Sequence, residues 1–149
     1  MASHLALAYD PATRRADLAF AAGGLLLDAT AATPAIVALL SDRRARGDDT
    51  LPLPAAPTLA PDMLNPRRGW VGDALDPAGQ RCGSRLWLLL RALETEATRG
   101  RAERYAREAL APVAGAQPLE VSAEWVRRGV LVYRARIGAE DVAVEQAIT

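Results

Sequence analysis

The chain has 149 residues, of which 50% are hydrophobic and 24% charged, a composition that excludes a disordered chain and gives the length of one domain. Eighteen acidic residues balance eighteen basic ones, every one an arginine, so no long-range field exists to draw in nucleic acid or an anionic membrane. A single cysteine, Cys82, and a single histidine, His4, exclude an internal disulfide, a multi-histidine metal site and a histidine-based triad. No stretch approaches the ~20 apolar residues of a membrane span. Met1–His4 lacks the basic region of a signal peptide. The lone thiol fits a reducing compartment. The absence of lysine fits a GC-rich coding bias, with a preference for rigid bidentate ion pairs as the alternative.

In chain order, Leu5–Tyr9 reads as a strand, Asp10–Thr13 as a turn and Asp17–Phe20 as the return of a hairpin. Gly23-Gly24 breaks it, and Leu25–Leu27 adds a third short strand. Thr33-Pro34 predicts a helix start with Thr33 as N-cap, Ile36, Val37, Leu39 and Leu40 as the apolar face, and an end near Ala45 or Arg46 before Gly47. Residues 47–80 are broken by repeated prolines and read as one long loop around Arg67-Arg68-Gly69-Trp70-Val71-Gly72-Asp73. Ser84 is placed as the cap of a second helix, apolar on more than one face from Arg85 to Leu93. A third runs from Thr95 or Glu96 to Leu110, with Ala102, Tyr105, Ala106, Ala109, Leu110 and Val113 inward and Glu103–Arg107 as an i,i+4 pair. The period then changes to two: Leu119–Trp125, a turn at Arg127–Gly129, Val130–Ile137, a turn at Gly138–Asp141, and a final strand Val142–Ile148. The fold class is α+β: an N-terminal β-hairpin and about three helices packed on a C-terminal antiparallel β-meander, with a long Pro-rich loop, all in one domain over 1–149.

Few residues offer chemistry. Without lysine there is no phosphate-loop lysine, and Ser84 lacks the flanks of a nucleophile elbow. Cys82 and His4 read as spectators, and Asp48-Asp49 as solvated loop carboxylates. No cofactor or metal is expected. Three readings of Arg43 and Arg44 beside Asp42 stay open: they complement a helix C-terminus, join an Asp–Arg network that pins the loop, or contact phosphate or nucleic acid. Residues 81–110 carry seven arginines against four glutamates, a modest surplus and not a nucleic-acid footprint. Trp70, on a loop, is the natural interface anchor. The terminal meander leaves an edge strand that can pair with another chain.

Taken together, the helix ending in Ser41-Asp42-Arg43-Arg44-Ala45, then Arg67–Asp73, then Gly83-Ser84-Arg85-Leu86-Trp87 and Tyr105–Leu110, resembles the small baseplate protein of Mu-like phages and prophages over nearly the whole chain. More distantly it is similar to the sheath-initiator wedge proteins of contractile tails and type VI secretion baseplates. The Glu-Pro-Arg triplet of that wider family is missing, since Ala116-Gln117-Pro118-Leu119 stands in its place. The resemblance implies a structural role in a virion tail baseplate assembled in the host cytoplasm. Its partners would be a baseplate J-type wedge protein, tail sheath subunits and other wedge or tube-hub proteins, with no nucleic acid and no membrane. Asp42, Arg43, Arg44, Arg67, Arg68, Gly69, Trp70, Gly72 and Asp73 are then the candidates for loop pinning or a wedge interface. Gly83, Ser84, Arg85, Leu86 and Trp87 form the structural helix. Val142, Val144 and Ile148 mark the edge strand that would accept a strand from the sheath. The reading is non-enzymatic, since no pair of carboxylates across a cleft is legible. The alternatives are a small phosphate- or nucleotide-binding enzyme using the Arg67–Asp73 loop, and a nucleic-acid-binding regulator.

Overall fold

Six short strands open the chain: β1 (His4–Leu5), β2 (Leu7–Asp10), β3 (Arg15–Leu18), β4 (Phe20–Ala21), β5 (Gly24–Leu25) and β6 (Leu27–Asp28). The computed structural model describes residues 3–52 and 65–148. The six strands pair antiparallel as three two-stranded ladders, β2 with β3, β4 with β5, and β1 with β6. The ladders meet in a ring of three backbone bonds: Ala6 N–H to Leu26 O, Leu26 N–H to Ala19 O, and Ala19 N–H to Ala6 O, each 2.9 Å. The ring satisfies the backbone where strands change partner. The expected hairpin is thus a three-way junction. Its return strand begins at Arg15 rather than Asp17, and the third strand is split around Leu26.

Helix α1 spans Ala32–Leu40, and two expectations about it fail. Thr33 is not the N-cap. That position is Ala31, which has no side-chain bond, and the orphan amides are met from upstream. Asp28 Oδ2 accepts from Thr33 N–H at 3.0 Å, and Thr30 Oγ1 from Ala32 N–H at 3.1 Å. Hydrogen bonds from Thr30, then Thr33, hold the Asp28 carboxyl well below the usual carboxylate range. Thr33 Oγ1 instead accepts from Leu7 N–H at 3.1 Å and ties the junction to the helix. The helix also stops five residues early, because Ser41 turns extended and the chain beyond it bonds to residue 84. Arg43 and Arg44 therefore lie outside α1 and do not serve its C-terminus.

The helix expected from Ser84 is a single 3₁₀ turn, Leu86–Leu89. All four residues are buried. A segment apolar on every side makes its contacts through one turn as well as through a helix. The chain leaves it extended at Leu90 and left-handed at Arg91. So there are two α-helices among the described residues, the second being α2, Glu96–Ala114. It starts where expected: Thr95 caps it by accepting from Thr98 N–H at 3.1 Å. It runs one turn past Leu110 with Pro112 inside. Glu103 pairs with Arg99 at 2.5 Å, while no Glu103–Arg107 pair forms.

The C-terminal sheet has the order β7 (Leu119–Arg127), β8 (Val130–Ile137), β9 (Glu140–Ala147), all antiparallel. Ala123, Tyr133 and Val144 stand side by side in its register. Leu131, Tyr133, Ala135 and Ile137 of β8 meet Ala35, Ile36 and Leu39 of α1 and Ala102, Ala106, Ala109 and Leu110 of α2 in one apolar core. The alanines of α2 let its backbone approach the sheet. A second, smaller cluster joins Ala45, Trp87 and Leu88. It marks where the irregular middle of the chain leans on the core.

Candidate functional site

The site begins where α1 ends. Segment 41–45 runs extended beside Ser84: Arg43 N–H donates to Ser84 O and Ser84 N–H to Ser41 O, both at 2.8 Å. Gly83 permits this approach. Its φ is +88° and a Cβ there would fall 2.5 Å from Ser41 O. Ser84 Oγ donates to Leu39 O at 2.9 Å, taking up one of the carbonyls that α1 leaves unpaired, and accepts only a long bond, 3.4 Å, from Leu86 N–H. Trp87 Nε1 donates to Arg43 O at 2.8 Å.

Residues 65–73 close over this segment. Ala45 N–H donates to Arg67 O at 2.9 Å. The Arg67 guanidinium donates to the carbonyls of Arg46 and Gly47. Arg68 pairs with Asp42 at 2.6 Å, and its guanidinium lies 4.6 Å from the centre of the Trp87 ring. Asn65 donates to Arg68 O at 2.9 Å and accepts from Arg44 at 3.3 Å. Gly69 has a φ of +100°, and a Cβ would fall 2.6 Å from Arg44 Cβ, so glycine is the residue that fits. Trp70 folds its ring over Gly72, where a side chain would collide with it, yet remains 62% exposed. Asp73 sits in a 3₁₀ turn, Val71–Ala74, and its Oδ1 accepts from Cys82 N–H at 2.9 Å. Its Oδ2 is buried without a partner.

Beneath these contacts lies an ionic cluster centred on Arg85, 8% exposed. It donates to Asp49 at 2.7 and 3.0 Å and to Glu108 at 2.6 Å. Its guanidinium stacks 4.4 Å from the Tyr105 ring centre. Glu108 also takes Arg46 at 2.7 Å and Arg43 at 3.5 Å. Burial alone would raise the Glu108 pKa. The Arg85 hydrogen bond and the charges of Arg85, Arg43 and Arg46 outweigh it and hold the carboxyl below its ordinary value. Burial likewise opposes charge on Arg85, and Glu108 and Asp49 reverse that, raising its pKa.

Both edges of the terminal sheet carry a side-chain stopper. Tyr9 Oη accepts from Glu145 N–H at 2.9 Å and donates to Glu145 O at 3.0 Å. Both Glu145 groups thus point away from β8, and by the alternation of an antiparallel ladder so do those of Asp141 and Ala143. On β7, Ala123 N–H donates to Glu103 at 3.2 Å and Ala123 O accepts from Arg99 at 3.5 Å. The side chains of Val142, Val144 and Ile148 are buried in the core, so the free edge of β9 belongs to the residues between them.

Asp42, Arg43, Arg44, Arg67, Arg68 and Gly69 thus converge on one segment with Gly83, Ser84, Arg85 and Trp87. Leu86 faces the main core, and Trp70, Gly72 and Asp73 continue on the outer side. The expected loop 47–80 lies partly outside the described residues. Sequence reasoning missed Arg46, Asn65, Tyr9 and Glu108, and it misread Asp49 as solvated. A signal for Glu108 exists: it lies three residues after Tyr105, on the same side of α2 at the border of the apolar face. Among the described residues no group of three or more histidines, cysteines, aspartates or glutamates could hold a metal, and no helix is long and apolar enough to cross a membrane.

These features define a small α+β protein in which charged side chains fix irregular backbone. Residues 31–143 match the family described as Phage protein GP46, and the chain belongs to that family. It is 38% identical over 132 residues to Baseplate protein gp46 of Escherichia phage Mu, covering 89% of this chain and 71% of that protein. No solved structure matches it. The resemblance to Mu-like baseplate proteins read from the motifs is thereby established.

Proposed function

We propose that this protein is a structural, non-catalytic component of a contractile-tail baseplate, acting as one wedge domain that sits beside a baseplate J-type protein and helps nucleate the sheath. The identity to the Mu baseplate protein along 89% of the chain carries the reading. It supports a place in the virion tail baseplate, and assembly in the host cytoplasm is part of the proposal. Two surfaces support a contact role. Trp70, Val71 and Leu75 stand exposed beside the arginine-held segment, and an exposed tryptophan on a loop has the character of an interface hot spot. The outward backbone groups of Asp141 and Ala143 on β9 are where a sheath strand would add, next to the Tyr9 stopper at Glu145.

The test is deletion of the gene in the producing strain, with particles imaged by negative-stain electron microscopy. Loss of sheathed tails, restored by the intact gene, is the expected result; normal sheathed tails without the gene would overturn the reading. A copy carrying Ala143→Pro removes one outward N–H while leaving the bonds to β8 intact. It should fold, incorporate into baseplates and fail to start the sheath. Normal sheaths on that variant would remove β9 from the proposal and leave the Trp70 surface.

A further inference from the structure

A cavity of about 460 Å³ opens beside the ionic cluster and is lined by Arg43, Arg44, Arg46, Arg67, Arg81 and Arg85. The carboxylate in its wall is Glu108, and Asp49 holds Arg85 from behind. Six guanidinium groups thus face two carboxylates. Arg44, Arg67 and Arg81 have no carboxylate partner among the described residues: Arg67 bonds to carbonyls and Arg44 to an amide. The neighbouring stretch 53–64 contains a single acidic residue, Asp62, too little to balance the excess. Arg85 is 8% exposed, and its Nε is buried without a partner. In a chain with no net charge, this is a concentrated positive site with donors already held in place.

Placing like charges together costs free energy that an anion would offset. The architecture favours carboxylates over phosphate. Guanidinium forks match carboxylate and phosphate alike, but phosphate sites also draw on backbone N–H groups at helix starts or glycine-rich nests, and among the described residues no α-helix begins at this cavity. The chain's own solution is already a carboxylate, since Glu108 takes three of the arginines. We propose that the cavity binds clustered carboxylates, those of an Asp- and Glu-rich segment of a neighbouring protein. That the occupant is a protein rests on the baseplate reading; that the cavity binds oxyanions does not.

Calorimetry on the intact protein tests this with two probes, a hexaglutamate peptide and inorganic tripolyphosphate, at about 20 mM and about 300 mM salt. Hexaglutamate should bind at low salt and weaken at high salt. The double variant Arg44→Ser, Arg81→Ser should lose about tenfold or more in affinity at unchanged melting temperature. Removing two exposed arginines of the sheet, Arg134→Ser with Arg136→Ser, should leave binding intact. Should the double variant melt early, Arg81→Glu alone reads the same site through an exposed residue, and it too should lose binding. No binding of hexaglutamate at low salt, or equal binding by the Arg44 and Arg81 variants, would overturn the site. Tighter binding of tripolyphosphate than of hexaglutamate would overturn the carboxylate assignment. None of these outcomes depends on particle morphology, so failure here and failure of the gene-deletion test are separable.

Discussion

Strand β8 and segment 41–45 both run through the middle of the molecule, and different physics holds each. Leu131, Tyr133, Ala135 and Ile137 of β8 are buried against two helices, and its backbone is paired with a strand on either side. Segment 41–45 buries only Ala45 fully. Its backbone groups are taken up singly, by Ser84, by the Trp87 indole and by Arg67 O. Regular structure spreads its support over many interchangeable contacts. Irregular structure depends on a few side chains, each with one geometry, so the two regions should break differently.

The largest expected effect is on the regular region. Leu131→Ala should cost about 3–4 kcal/mol of global stability, read by denaturant unfolding, since it opens a cavity at a fully buried position between the sheet and the helices. Next, Arg85→Met should cost about 3 kcal/mol, because it leaves the Asp49 carboxylate without a cation and held only by the Arg46 backbone N–H at 2.7 Å. Its signature is local: hydrogen exchange at the Arg43 and Ala45 amides should accelerate more than in β8. Equal acceleration in both would mean that the two regions unfold as one.

Acid should sharpen the contrast. Glu108 and Asp28 have folded pKa values below their ordinary ones. Their contribution is therefore fully present above the unfolded value, about 4, and is lost as pH falls through the depressed folded value. Melting temperature should drop on acidification from about pH 5 to pH 3, and less steeply in Arg85→Met, which has already lost the strongest contact to Glu108. A parallel drop in both proteins would assign the acid sensitivity elsewhere.

Gly69→Ala should cost about 2 kcal/mol, since the left-handed backbone and the Arg44 Cβ both oppose a side chain there. Its near-ultraviolet tryptophan signal should shift, because residues 68–70 would move away from Trp87. Smallest is Arg68→Gln, which loses an ion pair exposed on both sides and a stacking contact, about 0.5–1 kcal/mol. That loss should shrink in high salt, whereas the Arg85 effect should not.

Legibility followed the same divide. Periodicity locates the start of α2, the start of β7 and both ends of β8, because burial of one face imposes a period of 3.6 or 2 on the sequence, while α2 runs four residues past its expected end and β7 and β9 differ by one or two. The sequence places α1 but not its end, and it does not distinguish the 3₁₀ turn at Leu86–Leu89 from a helix, because an all-apolar run has no period to read. At the site, residue types pointed to Arg43, Arg67 and Arg68, whereas Asp49 pairs with Arg85 across 36 residues and no local pattern announces it.

What this sequence determines by itself is the set of surfaces that must leave water, the apolar faces of α2 and β7–β9, together with the Thr95 cap and the glycines that allow close approach. The tertiary structure alone decides which arginine meets which carboxylate, where α1 stops, and that Tyr9 and Glu103 cover the two sheet edges. Burial is non-directional and sums over a stretch, so periodicity records it. A guanidinium–carboxylate bond needs one geometry between residues far apart in the chain, and only the folded backbone supplies it.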